Sequence, residues 1–76
     1  MEELVRTIAK ALVDNPDEVD VRTAEQEDEI VIELRVAESD MGKVIGKQGR
    51  IAKAIRTVVK AVATRENKRV SVEIVQ

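Results

Sequence analysis

Cysteine and histidine are both missing from the 76 residues. Without thiols there are no disulfides, thiolate metal sites or sulfur nucleophiles. Without imidazole the chain lacks the side chain whose unperturbed pKa lies nearest neutrality. Most familiar catalysis goes with them, and the acidic residues are scattered over solvent-facing positions with no convergent pocket, so no enzyme is expected. Phe, Tyr and Trp are absent as well, which excludes base recognition by aromatic stacking on a sheet. No apolar run approaches the roughly 20 residues needed to cross a bilayer. Met1-Glu2-Glu3 also lacks the basic start of an export signal, and a cytoplasmic protein without membrane contact is expected. With three glycines and one proline the chain has no flexible linker, and at 8.5 kDa residues 1–76 form one domain with a thin core. A chain of this length hides only about 60% of the surface its unfolded form exposes.

Charge of one sign is scarce in each half. Residues 1–38 hold four basic and twelve acidic side chains, a net −8, whereas residues 39–76 hold nine basic and three acidic, a net +6. The total of −2 hides this division. A cationic second half suits a polyanion, and an acidic first half maintains solubility and limits indiscriminate binding. Acidic residues also cluster at Glu25-Gln26-Glu27-Asp28, but adjacent ligands without the spacing and turn glycine of a calcium loop make a poor cage, so no metal or other cofactor is expected.

Hydrophobic periodicity orders the chain. Leu4, Val5, Ile8, Leu12 and Val13 recur at helical spacing over residues 2–14, with Asn15-Pro16 as the stop. Val19, Val21 and Thr23 then alternate with Asp20 and Arg22, and beyond the acidic turn Ile30, Ile32, Leu34 and Val36 resume the alternation. Ser39 or Asp40 is placed to cap a short helix over residues 40–46, in which Met41, Val44 and Ile45 face inward. A longer helix over residues 50–64 carries Ile51, Ile55, Val58 and Val62 as its core stripe, opposite a basic ridge of Lys53, Arg56 and Lys60. Val70, Val72 and Ile74 mark a last strand. The order α-β-β-α-α-β predicts an α+β fold. Its three-stranded mixed sheet has an antiparallel hairpin, a parallel third strand reached through a helical crossover, and three helices on one face.

All three glycines fall in Gly42-Lys43-Val44-Ile45-Gly46-Lys47-Gln48-Gly49-Arg50-Ile51. A Walker loop requires four residues between its first glycine and Gly-Lys, then Ser or Thr. Here the gap is three and Gln48 follows, so the ATPase reading fails. The dinucleotide fingerprint fails because the loop follows a helix and lacks G-x-G-x-x-G spacing. What remains is Gly-x-x-Gly between two helices, with glycines free to take positive φ and to admit a ligand backbone. Together with the apolar pair Val44-Ile45, the cations Lys47, Arg50 and Lys53, and the strand pattern around it, this segment resembles the KH domain. The order is that of the type II arrangement, the resemblance spans essentially the whole chain, and it looks most like the KhpA family of small bacterial single-KH proteins.

The resemblance implies a non-catalytic binder of single-stranded RNA, with single-stranded DNA also admissible, that clamps about four nucleotides. The implied contacts are Lys43, Val44, Ile45, Gly46, Lys47, Gln48, Gly49, Arg50, Ile51 and Lys53. Gly46 and Gly49 bring main chain against the sugar-phosphate backbone, and Lys47 supplies charge. Arg50 opens a helix whose free N–H groups attract phosphate, while the apolar residues and Ala52 wall a base groove. Ala52 stands where many KH sequences carry a larger aliphatic residue, with Ile51 one place earlier. Arg65, Lys68 and Arg69 are further phosphate contacts if their loop lies near the groove, whereas Arg56 and Lys60 are expected to be solvated or peripheral. Because four nucleotides specify little, a homodimer or a heterodimer with a KhpB-like RNA-binding protein is expected. The resemblance further implies an RNA chaperone or post-transcriptional regulator, linked in some bacteria to cell-envelope growth. The competing expectation is a protein-interaction module whose basic face meets an acidic partner.

Overall fold

The computed structural model describes residues 1–75. Helix α1 spans Glu2–Leu12, with Glu2 and Glu3 at the positive end of its dipole and Val5 and Ala9 buried. It stops before Asn15-Pro16, because Val13 is already extended and Pro16–Glu18 begins a separate 3₁₀ turn. The predicted stop is therefore two residues late. Proline at the first position of that turn loses no hydrogen bond that the turn needs.

Strands β1 (Asp20–Gln26) and β2 (Glu29–Arg35) pair antiparallel, with Val21 opposite Leu34 and Gln26 opposite Glu29. The acidic turn thus shrinks to Glu27-Asp28, and Glu25 and Gln26 are strand residues. Backbone pairing to β2 carries them, since the end of β1 buries nothing. Strand β3 (Val70–Val75) pairs parallel with β2, placing Ile32 beside Val72 and Leu34 beside Ile74 in a sheet of order β1-β2-β3. Between β2 and β3 the chain forms a 3₁₀ turn at Glu38–Asp40, helix α2 (Met41–Ile45), a turn at Lys47–Gly49 and helix α3 (Arg50–Arg65). The fold is the expected α+β architecture, with three helices and a three-stranded mixed sheet.

The core joins Val5, Ala9, Val21, Ile32, Leu34, Val36, Val44, Ile55, Val59 and Val72. Each fully buried aliphatic side chain contributes about 1.5–3 kcal/mol relative to exposure. The buried stripe of α3 differs from the predicted one. Ala52, Ile55, Val59 and Ala63 face inward, whereas Val58 is 44% exposed and Ile51 and Val62 are half-buried. Small alanines stand at both ends of this stripe. The larger residues at 51, 58 and 62 are rotated to its flank.

Candidate nucleic-acid interface

The Gly-x-x-Gly segment is a tight exposed turn between α2 and α3. Gly46 ends α2 at φ +76°, where its N–H donates to the Gly42 carbonyl at 2.9 Å. A Cβ there would lie 2.5 Å from Ile51 Cγ1, so both its φ and its neighbour require glycine. Gly49 has φ +73°, its N–H donates to the Gly46 carbonyl at 3.1 Å, and a Cβ would point into open space. Positive φ at the two glycines matches the expectation from sequence. Gln48 adds a third such residue, at φ 58° and ψ 25°, a conformation that side chains avoid and that often marks a functional turn. Lys47 and Gln48 are exposed at the tip.

Arg50 and Lys53 continue from this turn onto α3, both exposed. The first turn of this 16-residue helix carries no acidic residue, so its free N–H groups and positive dipole end are not offset from within. Gly46, Lys47, Gln48, Gly49, Arg50 and Lys53 therefore lie together on one open, cationic corner. Ile45, 37% exposed, borders it.

Three expected contacts sit differently. Val44 is fully buried in the core, so its side chain forms no groove wall at the surface. Ile51 is half-buried against Gly46 and lines an apolar depression between α1 and α3 with Ile8, Leu12, Ala54 and Val58. Lys43 is exposed but paired: its Nζ lies 3.0 Å from Asp14 Oδ2 and 3.7 Å from Asp40 Oδ1. The hydrogen bond to Asp14 and that carboxylate's charge hold the Lys43 ammonium above its usual pKa, with Asp40 adding to the effect. Ala52 is buried on the inner face of α3 and does not stand at the open surface.

Asp40 likewise departs from expectation. It stands at the N-terminus of α2 but makes no capping bond there. Its carboxylate instead accepts the N–H groups of Asp14 (3.1 Å) and Asn15 (3.0 Å) and the Asn15 side-chain amide (3.0 Å). Burial pushes its pKa up, but these hydrogen bonds, with Lys43 nearby, outweigh that effect and leave it below the ordinary carboxylate value. Ser39 is exposed and makes no cap either.

A residue expected to be peripheral is structural. Arg56 Nε donates to the Val72 carbonyl at 3.1 Å, tying α3 to β3, the strand on which α3 packs. Arg56 and Lys60, spaced i and i+4, thus follow the seam between that helix and the sheet edge. The signal available in the sequence was their helical spacing. Its meaning depended on which way the helix was rotated. Lys68 and Arg69 lie at the far end of the molecule in a depression shared with Glu25, Glu27, Asp28 and Glu29, where acidic groups offset them locally. Among the described residues no group of His, Cys, Asp or Glu is arranged to hold a metal ion, and no helix is long and apolar enough to cross a membrane.

The family described as KhpA/KhpB, KH domain, matches residues 2–74. A relative from Clostridium acetobutylicum, named RNA-binding protein KhpA, is 67% identical over 75 residues, covering 99% of this chain and 100% of that protein. A protein of the same name from Caldanaerobacter subterraneus subsp. tengcongensis is 68% identical over 75 residues, with the same coverage. Among solved structures, Era in complex with MgGDPNP and nucleotides 1506–1542 of 16S ribosomal RNA superposes with a TM-score of 0.59 at 26% identity. That match covers 96% of this chain and 28% of the Era chain, so the likeness is to one part of a larger protein.

Proposed function

The chain belongs to the KhpA/KhpB KH-domain family, and from that premise we propose that it is a non-catalytic, single-stranded RNA-binding protein acting as one KH module. Gly46, Lys47, Gln48 and Gly49 clamp the sugar-phosphate backbone of about four nucleotides. Arg50 and Lys53 supply charge at the open end of α3, and Ile45 offers apolar contact. The observation that carries this reading is the exposed turn itself. Three of its four residues have positive φ, main chain is accessible at Gly49, and an uncompensated helix N-terminus follows. The names of the relatives support RNA as the ligand.

Replacing both Lys47 and Gln48 by Asp tests the clamp. Circular dichroism should be unchanged, while affinity for a short oligoribonucleotide falls at least tenfold, because two anions then face the phosphates. Parental binding should weaken with salt at a double-logarithmic slope of about −0.7 per neutralised phosphate. Parental affinity in the double variant would remove the clamp assignment. A parent that binds no RNA but retains an acidic protein partner would establish an interaction module instead.

A four-base site recurs roughly every 256 nucleotides, so one module selects no transcript. The role that fits is an RNA chaperone or post-transcriptional regulator joined to a second module, whose linkage raises effective concentration. The apolar depression bounded by Ile8, Leu12, Ala54 and Val58 supports a second copy of this chain as that module, since a two-fold pair buries the same strip on both subunits. In sedimentation, Val58→Glu should turn a dimeric parent into a monomer with unchanged circular dichroism. A monomeric parent that copurifies with a different RNA-binding protein would assign the face to a heterodimer.

A further inference from the structure

Asp40 is 1% exposed, the one buried charged side chain among the described residues. A buried carboxylate is retained only with partners, and those of Asp40 come from a distant stretch of chain. The Asp14 and Asn15 amides that it accepts lie 26 and 25 residues away, just past the end of α1. Lys43, three residues after Asp40, closes the set by reaching both Asp14 and Asp40. The group forms a clasp between the exit of α1 and the start of α2.

Helix α2 is five residues long, too short to hold a direction by its own hydrogen bonds, yet it delivers the chain to Gly46. Val44 fixes its middle in the core, and Asp40 fixes its beginning. Two anchor points define an axis, whereas one would leave the turn free to swing. Lys43 is held between two carboxylates, but Lys47 takes part in no ion pair among the described residues. A phosphate would have to displace Asp14 to reach Lys43, whereas Lys47 is available directly.

We propose that Asp40 is a positioning residue for the nucleotide clamp, fastening α2 and the Gly46–Gly49 turn to the exit of α1, and that Lys43 belongs to this clasp and makes no phosphate contact. The proposal rests on the RNA-clamp reading for its consequence in binding, but the clasp also has a consequence in the free protein. Asp40→Asn keeps the shape while converting one acceptor into an NH₂ donor that faces N–H donors. The turn should then lose order.

The test combines amide exchange in the free protein with binding of a short mixed-sequence oligoribonucleotide across a salt series. Asp40→Asn should speed exchange at Asp14, Asn15, Gly46 and Gly49 about tenfold, with β2 amides at the parental rate, as expected for local opening. Its affinity should fall about tenfold at an unchanged salt slope, because the same phosphates are met by a turn that must be reordered on binding. Lys43→Gln should also keep the parental slope, whereas Lys47→Gln should make it shallower by about 0.7. Parental exchange at Gly46 and Gly49 in Asp40→Asn would overturn the positioning role. A slope loss in Lys43→Gln equal to that in Lys47→Gln would overturn its assignment to the clasp. If the parent binds no oligoribonucleotide, the clamp reading fails and the exchange rates alone decide the role of Asp40. Should Asp40→Asn fail to fold, Asn15→Ala removes the side-chain amide that donates to the same carboxylate, and parental exchange at Gly46 and Gly49 there would equally overturn it.

Discussion

Gly46 and Gly49 share a positive φ but not a conformation, since ψ is 173° at the first and 14° at the second, and they answer different demands. A side chain at 49 strains the left-handed backbone by about 1–2 kcal/mol, and one at 46 enters a region open essentially to glycine alone, at about 1–3 kcal/mol. At 46 it also strikes Ile51, and overpacking adds about 1–3 kcal/mol. In chemical denaturation Gly46→Ala should therefore lose about 2–6 kcal/mol and Gly49→Ala about 1–2 kcal/mol. Gly49→Ala should be the folded variant in which loss of RNA binding reports on the turn. Asp40 and Lys43 set a pH dependence with opposite limits. The Asp40 carboxyl is held below its ordinary pKa, so its contribution is complete above the ordinary carboxylate range and lost as pH falls through the lower, folded-state value. The Lys43 ammonium is held above its ordinary pKa, so its contribution is complete below the ordinary lysine range and lost as pH rises through the higher, folded-state value. Melting temperatures of parent and Asp40→Asn should thus differ by a constant amount near neutrality and converge in acid. Sequence made Gly46 and Gly49 legible because few other residues tolerate such a turn. It did not reveal Asp40's partners, since a residue before a helix is ordinarily taken for its cap, and nothing local points 25 residues back.

At the scale of elements, α3 shows where periodicity stops informing. Ile51, Ile55, Val58 and Val62 and the observed stripe of Ala52, Ile55, Val59 and Ala63 both satisfy helical spacing, and they share Ile55. Choosing the largest side chains favours the first. The burial in the folded chain follows the second, with Ala52 4% and Ala63 1% exposed at its two ends. Thermal or chemical denaturation can separate them. Ile55→Ala should cost about 2–5 kcal/mol as a buried truncation, and Ala52→Leu about 1–3 kcal/mol by overpacking. If Ala52 walled a solvent-facing groove, the leucine would instead be close to neutral. The seam of α3 and β3 follows from the same rotation, which brings Arg56 to the Val72 carbonyl. The end of α1 and the length of the hairpin were less legible, because hydrogen bonds made by other segments decided both.

Over the whole molecule, the division of charge along the chain survives only in part. The cations of 43–60 remain grouped around the turn and α3, but Lys68 and Arg69 face the acidic hairpin end at Glu25, Glu27, Asp28 and Glu29. The proposed RNA path therefore starts from a cationic corner and meets a mixed field at the opposite pole. Neutralising the hairpin tip by Glu27→Gln with Asp28→Asn should raise the rate of RNA association by about two- to fivefold at low salt, with little change in dissociation. The gain should fade at physiological ionic strength and above, where the screening length is about 8 Å or less. Stopped-flow association across a salt series measures it.

The order of helices and strands, the α+β class and the glycine turn were fixed by residue spacing alone, because backbone sterics and apolar periodicity act over a few neighbouring positions. Packing decided the remainder: which face of α3 is buried, that Val44 is core, that Lys43 is paired, and that Asp40 ties two helices together. These features depend on residues far apart in the chain, and no local pattern can specify contacts that exist only once the layers have closed.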